Sequence, residues 1–328
     1  MAVAKRRSLL VDCDTGVDDA VALLYLLADP SVEVCGITTV FGNVSAAAAA
    51  RNSLCVLEVA GRAGGVPVAK GCEVPLAGEV PVLGTHVHGG NGLGGVEVAE
   101  PAGTVISSSG PELIVQTARQ RPGEVGLLAI GPLTNVAVAL RLEPELPRLL
   151  AGATIMGGAA LAPGNVTPAA EANIWHDPEA AQAVLSAPWE TTLVPLDATM
   201  RELVTDAHRL ELASAGSAAA RFAAEILGFY FEHSLSIFGR RVSACHDALA
   251  AAIAAGDIAP RKAATVAVTV DTNHGPGRGA TICDLRGMYK GVTAEPGANC
   301  TVVLEAGGDL GSRLVKRLTS SERVTQPG

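Results

Sequence analysis

Basic residues are scarce in this chain: 24 Lys and Arg stand against 33 Asp and Glu, a net charge of -9 over 328 residues. That balance excludes the clustered positive surface that nucleic acid requires. The one basic cluster, Lys5-Arg6-Arg7, sits at the terminus and reads as keeping the first strand soluble. Long apolar runs are missing as well. Apolar residues make up 48% of the chain, but Gly, Pro and charges break them into short pieces, none approaching a membrane span. Between the basic start and Asp12 only Ser8-Leu9-Leu10-Val11 intervene, too short for a signal-peptide core, so the expectation is a cytoplasmic protein with no membrane partner. Paired cysteine spacing is absent too. The seven cysteines are odd in number, lack C-x-x-C, and lie mostly inside apolar runs (Cys35, Cys55, Cys283, Cys300), as reduced core fillers do. No Ser-, Pro- or charge-rich linker divides the chain, which reads as one α/β domain over residues 1–328.

What the chain does have is Leu9 to Ala22, LLVDCDTGVDDAVA, with Asp12, Asp14, Asp18 and Asp19 inside eight residues. Leu9 to Val11 read as a buried strand, Gly16 permits a tight turn, and Ala20 to Ala28 read as a helix. The acids therefore cluster where a strand ends, the edge at which open α/β sheets bind ligands. Carboxylates packed so closely repel unless a cation or shared protons neutralise them, and a hard divalent metal is the natural counter-charge. Helix capping needs one or two acids, not four. An EF-hand fails, because a loop starting at Asp12 puts Val17 where its Gly belongs and Leu23 where its Glu belongs. An aspartate-nucleophile phosphatase also begins Asp-x-Asp after a strand, but wants Thr or Val where this chain has Gly16.

Further along, Val32 to Val40 is a β-branched strand ending at Asn43, and Ser45 to Ala60 a helix with Ser45 as its cap. Alternation of strand and helix indicates a parallel sheet. Gly84 to Gly95, GTHVHGGNGLGG, reads as a mobile loop or lid carrying His86, His88 and Asn91, with His86 expected at the substrate. Val125 to Ile130 is a strand whose last carbonyl, that of Ile130, a glycine leaves open to a metal; Ala153 to Gly158 repeats the pattern. The loop Gly164 to Asp177 presents Asn165, Glu171 and Asn173, amide and carboxylate groups suited to the hydroxyls of ribose. Thr192 to Leu196 is a strand, Met200 to Phe238 a helical middle, and Phe229, Tyr230, Phe231 and His233 are candidates for a base pocket or the core. His246 and Asp247 head an apolar helix; strands at Ala264 to Val270, Ala280 to Cys283 and Cys300 to Leu304 and a helix from Asp309 to Leu318 follow.

Four ordered motifs, DCDTGVDDAVAL, TTVFGN, AIGPLTN and the pair GNVTPAAEANIWHDPEAA with HDALA, resemble the calcium-dependent nucleoside hydrolase family across residues 9 to 250. The resemblance implies a single α/β domain with a mostly parallel sheet flanked by helices, a homodimer or homotetramer, and a ribonucleoside substrate split into ribose and free base. It assigns Ca²⁺ to Asp14, Asp19, the Ile130 carbonyl and Asp247, with Asp14 also the base that activates a Ca-bound water. It assigns the ribose 2′-hydroxyl to Asp18 and Asn173, the 5′-hydroxyl to Asn165 and Glu171, the same pocket to Asn43, and protonation of the leaving base to His246. Thr15 stands where the family usually has Pro, Ala172 where an aromatic is common, and HDALA replaces HDPLA; none of these removes a ligand.

The chemistry agrees. Breaking an N-glycosidic bond builds positive charge on the ribose and negative charge on the base, while water is a weak nucleophile. A carboxylate beside a metal, hydroxyl contacts that orient the sugar, and a histidine facing the base answer those three needs. The alternatives are an aspartate-based phosphatase, which forms a phosphoenzyme, and a non-catalytic nucleoside or sugar sensor.

Overall fold

Among the described residues, short apolar, β-branched runs form twelve strands: β1 (Arg7–Cys13), β2 (Val32–Thr39), β3 (Val68–Lys70), β4 (Val125–Ala129), β5 (Ala153–Met156), β6 (Thr191–Val194), β7 (Leu203–Thr205), β8 (Val242–Ala244), β9 (Pro260–Val266), β10 (Val268–Val270), β11 (Thr281–Cys283) and β12 (Cys300–Ala306). The computed structural model describes residues 6–78, 82–289, 291 and 298–320, so Lys5 of the basic cluster lies outside the described residues. Eight strands make the central sheet in the order β3-β2-β1-β4-β5-β6-β12-β9, parallel throughout except for β9 against β12. The chain winds outward in opposite directions from β1 and β4. That reversal leaves a crevice outside their carboxyl ends, where such sheets bind ligands.

Helices cover both faces and divide the core in two. On one face lies Val17–Leu27, all of whose residues are buried, packed beside the helices His246–Ala254 and Ala218–Phe238. Full burial of Leu23, Leu24 and Leu26 contributes about 1.5–3 kcal/mol per side chain, so the helix is fixed firmly by its apolar residues alone. Its first turn carries Asp18 and Asp19 into the crevice mouth. The opposite face is covered by Gly110–Gln120, Thr134–Leu142 and Pro178–Leu185.

Three stretches differ from the sequence reading. The helical middle contains β7, whose Leu-Val-Thr run pairs antiparallel with β8, and two helices follow, Asp206–Ser214 and Ala218–Phe238. This two-strand pairing, closed across the two helices, leads directly into Cys245 and His246 at the head of the next helix. The single strand expected at Ala264 to Val270 is two: β9 runs from Pro260 to Val266 against β12, and after Ala267 β10 pairs with β11. The loop Gly84 to Gly95 holds a one-turn helix, Thr85–His88, followed by turns that Asn91 ties together. Asn91 Nδ2 donates to the Val96 carbonyl at 2.9 Å, and Oδ1 accepts from the Leu93 and Gly95 amides at 3.0 Å each. Gly89, Gly92, Gly94 and Gly95 all have positive φ, which explains the glycine density of this segment.

Candidate active site

Register brings the motifs together. Cys13 pairs with Thr39 and Asp12 with Ala129, so the chain leaves β1, β2 and β4 at one level, and Asp14, Asn43 and Ile130 emerge side by side. Asp12 belongs to the scaffold. Its Oδ1 accepts from Thr38 Oγ1 at 2.5 Å and Asn135 Nδ2 at 2.8 Å, and burial pushes its carboxyl up to about 7. Asp19 caps the turn it sits beyond: Oδ1 accepts from the Asp14 amide at 3.1 Å, and Oδ2 from the Gly16 amide at 2.8 Å and Asn43 Nδ2 at 3.0 Å. Gly16 is needed there because a Cβ would stand 2.6 Å from His88 Nδ1 and 2.7 Å from Asn43 Nδ2. The Asn43 amide donates to Asp14 Oδ2 at 2.7 Å, leaving Oδ1 of Asp14 buried without a partner.

Asp14, Asp18, Asp19 and Asp247 are all buried, and among the described residues no Arg or Lys pairs with any of them. Burial, then the charge of Asp19, pushes Asp14 well up and Asp18 to about 8; burial, then the charges of Asp18, Asp19 and Asp14, pushes Asp247 well up. So much crowded negative charge is stable only with protons or a cation. Asp18, Asp19 and Asp247 each offer an oxygen within 4.8 Å of the others, and Asp18 Oδ1 is a second buried orphan. An all-oxygen donor set with unpartnered lone pairs fits a hard divalent cation. This trio differs from the expected ligand set in containing Asp18 rather than Asp14. The Ile130 carbonyl, also in the expected set, accepts from Asn173 Nδ2 at 3.1 Å.

The remaining expected residues surround the cluster unequally. Asn173 is buried and donates as well to the Met156 carbonyl at 3.2 Å. Glu171 caps the helix Ala172–His176: Oε1 accepts from the Asn173 amide at 2.9 Å, and Oε2 from Gly158 at 2.8 Å and Ile174 at 3.2 Å. Burial holds its carboxyl up, at about 7. Asn165 is exposed, its Oδ1 accepting from the Ala172 amide at 3.0 Å. His246 Nδ1 lies 2.7 Å from Thr199 Oγ1, and burial pushes the imidazole down to about 4, so the ring is neutral at pH 7.

Of the two loop histidines, the one buried against the cluster is His88. The Val17 amide donates to its Nδ1 at 3.1 Å, its ring stacks on Tyr230 at 5.4 Å, and Asp18 Oδ1 is 3.6 Å away. His86 is exposed, its ring edge-on to His233 at 6.2 Å. Tyr230 donates to Asp18 Oδ2 at 3.4 Å, so it serves the site and the core at once. The histidine pair carried the signal of chemistry, but not which ring faces inward. Asn52 had no signal. Its Nδ2 donates to both the Thr15 carbonyl at 3.0 Å and the Asn91 carbonyl at 2.9 Å, coupling the glycine-rich loop to the aspartate turn.

Comparison with known proteins places this arrangement. The family model for inosine-uridine preferring nucleoside hydrolases matches residues 9–309. Uridine nucleosidase 1 of Arabidopsis thaliana is 39% identical over 228 residues, 70% of this chain and 68% of the relative. The inosine-uridine preferring nucleoside hydrolase of Leishmania major is 36% identical over 287 residues, 85% of this chain and 88% of the relative. Among solved structures, a plant nucleoside hydrolase superposes with a TM-score of 0.87 at 30% identity, covering 96% of this chain and 99% of its own. A purine-preferring ribonucleoside hydrolase from Gardnerella vaginalis also gives 0.87, at 28% identity and with 97% and 100% coverage. With the whole of its aspartate crevice inside the matched region, the chain belongs to the inosine-uridine preferring nucleoside hydrolase family and is a ribonucleoside hydrolase.

Proposed function

We propose that the aspartate crevice hydrolyses the N-glycosidic bond of inosine and uridine, with Asp14 as the base and Ca²⁺ as the cation. The observation that carries this reading is the unpartnered, buried Oδ1 of Asp14 within a group of four buried carboxylates. Oδ2 of Asp14 is held by the Asn43 amide, so Oδ1 is the oxygen left to take a proton from the attacking water. Asp18, Asp19 and Asp247, with Asp14 and the Ile130 carbonyl beside them, would hold a hard cation, which would offset the cluster's charge and make a bound water more acidic. Ca²⁺ suits a flexible set of oxygens better than Mg²⁺, which demands tighter octahedral geometry.

The sugar is oriented by the surrounding polar groups: Asp18 and Asn173 toward the 2′-hydroxyl, Asn165 and Glu171 toward the 5′-hydroxyl, Asn43 along the same wall. Three of the carboxylate positions of Glu171 are already used by backbone amides, so its part is to hold the ribose loop and take one further hydroxyl. His246 stands on the leaving-group side and stabilises the departing base, and His86 with His233 borders the mouth. Relatives named for uridine and for inosine with uridine support acceptance of both nucleosides. Among the described residues no helix is long and apolar enough to cross a membrane; we place the enzyme in the cytoplasm as a homodimer or homotetramer.

The test is release of free base from a nucleoside panel. Hydrolysis of inosine and uridine that is lost on chelation and restored by Ca²⁺ is the expected result. Binding without turnover marks a sensor instead, and a trapped phosphoenzyme marks a phosphatase.

A further inference from the structure

His246 is the leaving-group histidine only if one particular ring nitrogen meets the base, and the structure contains a device for choosing it. Thr199 is fully buried at the end of the one-turn helix Leu196–Thr199 that follows β6, and its Oγ1 lies 2.7 Å from His246 Nδ1. Among the described residues, the Thr199 hydroxyl makes its side-chain hydrogen bond with that imidazole. The short helix is itself held rigidly. The Leu196 amide donates to the Gly158 carbonyl at 2.9 Å. Asp197, buried, accepts from the amides of Ala160 and Leu161 at 2.8 Å each and of Ala162 at 3.1 Å. A hydroxyl on such a support has little freedom to move, and neither has the ring it holds.

We propose that Thr199 is a positioning residue for the hydrolysis: its hydroxyl occupies Nδ1 of His246, fixes the ring plane, and leaves Nε2 as the nitrogen that meets the departing base. This rests on the leaving-group role given to His246 above. A neutral imidazole has one donor and one acceptor nitrogen, and whichever bond one nitrogen makes fixes the role of the other. In the tautomer in which the Thr199 hydroxyl donates to Nδ1, the proton resides on Nε2, where an N–H donor is required. The hydroxyl is a rotor. If the ring takes a second proton during turnover, the same oxygen accepts from Nδ1–H and the geometry is kept. Valine at this position preserves shape and removes only the bond; serine keeps the bond.

The experiment compares Thr199→Val, Thr199→Ser and His246→Ala on inosine and on p-nitrophenyl riboside, whose nitrophenolate departs without help. Thr199→Val is expected to lower kcat/KM for inosine roughly tenfold, the loss of one hydrogen bond, and to leave p-nitrophenyl riboside nearly unchanged. Thr199→Ser is expected to restore inosine hydrolysis. Nitrogen-15 spectra of the histidine rings are expected to show His246 with Nδ1 as acceptor in the wild type and Thr199→Ser, and a mixed tautomer in Thr199→Val. Equal losses on both substrates in Thr199→Val, no rescue by serine, or an unchanged ring spectrum overturns the proposal. If His246→Ala itself slows both substrates alike, the leaving-group reading fails, and Thr199 falls with it. If His246→Ala is selective and Thr199→Val is silent, only the positioning role is lost.

Discussion

The two edges of the central sheet bury carboxylates under opposite terms. At the amino edge the acids have a cation within reach: buried Asp29 and half-buried Asp257 both pair with Arg317, which also lies over the Tyr25 ring at 4.8 Å. Likewise Arg121 reaches Glu33 Oε2 at 2.9 Å and Ser8 Oγ at 2.6 Å. Burial alone raises Asp29, but hydrogen bonds from Ser31 and Arg317 outweigh it and leave its carboxyl below the ordinary range. At the carboxyl edge Asp14, Asp18 and Asp247 rise instead, because burial outweighs the hydrogen bonds that Asp14 and Asp18 accept and the neighbouring acids add to the repulsion. One residue type thus holds the fold together at one end and loads it with unbalanced charge at the other. Several uncompensated acids gathered at the ligand-binding edge mark a functional site, whereas the lone buried Asp12 is held in the scaffold by Thr38 and Asn135.

The largest effect that sharpens this contrast is catalytic. Asp14→Asn keeps the side-chain shape and removes the base, so kcat for inosine is expected to fall by about 10²- to 10⁴-fold, while the metal-free variant melts about 2–4 °C higher for each kcal/mol of repulsion removed. A rate within tenfold of wild type would show that another group accepts the proton. Steady-state kinetics and calorimetry on the same preparation decide it.

The next effect is the pH dependence of the metal-free protein. Asp18 titrates near 8 when folded and near 4 when unfolded, so between those values the folded state holds a proton that the unfolded state has released. Stability therefore falls as pH rises from about 4 to about 8. Asp29 has the opposite sign: its folded value lies below the unfolded one, so its contribution is complete above about pH 4 and disappears as pH falls through the folded value. Urea midpoints taken without divalent metal at pH 7 and pH 8, above the range in which the buried neutral His88 and His246 would oppose the trend, are expected to be higher at pH 7. A higher midpoint at pH 8 would mean that the carboxyl-edge acids are compensated within the chain.

A smaller effect comes from the amino edge. Arg317→Met keeps the packing over Tyr25 but strands Asp29 and Asp257, which should cost roughly 2–3 kcal/mol of stability. Inosine turnover by the fraction that remains folded should be unchanged. A loss of turnover without a loss of stability would deny that the two edges are separate.

The carboxyl edge was largely legible in the sequence, because four acids straddling a strand end have few structural uses and the sheet's handed winding brings Asn43 and Ile130 to the same level. Asp247 was legible as an acid heading an apolar helix. What the chain could not display were contacts made across long separations. Nothing local tells that His88, and not His86, turns inward, since the choice is made by the Val17 amide and the Tyr230 ring. Nothing marks Thr199, whose partner is 47 residues away. The Leu203–Thr205 strand was hidden because a three-residue strand has no period to detect, and its partner lies beyond two helices. The bend at Ala267 depends on which strand each half meets, β12 or β11.

Calcium titration of the metal-free protein at pH 8, followed in parallel by thermal melting and by inosine hydrolysis, tests the central claim most directly. The buried carboxylates at the carboxyl edge are expected to behave as one cation site: calcium raises the melting temperature and restores turnover with the same midpoint, and Asp247→Asn weakens both together. Turnover that is complete without divalent metal, or a melting shift that Asp247→Asn leaves untouched, would contradict it.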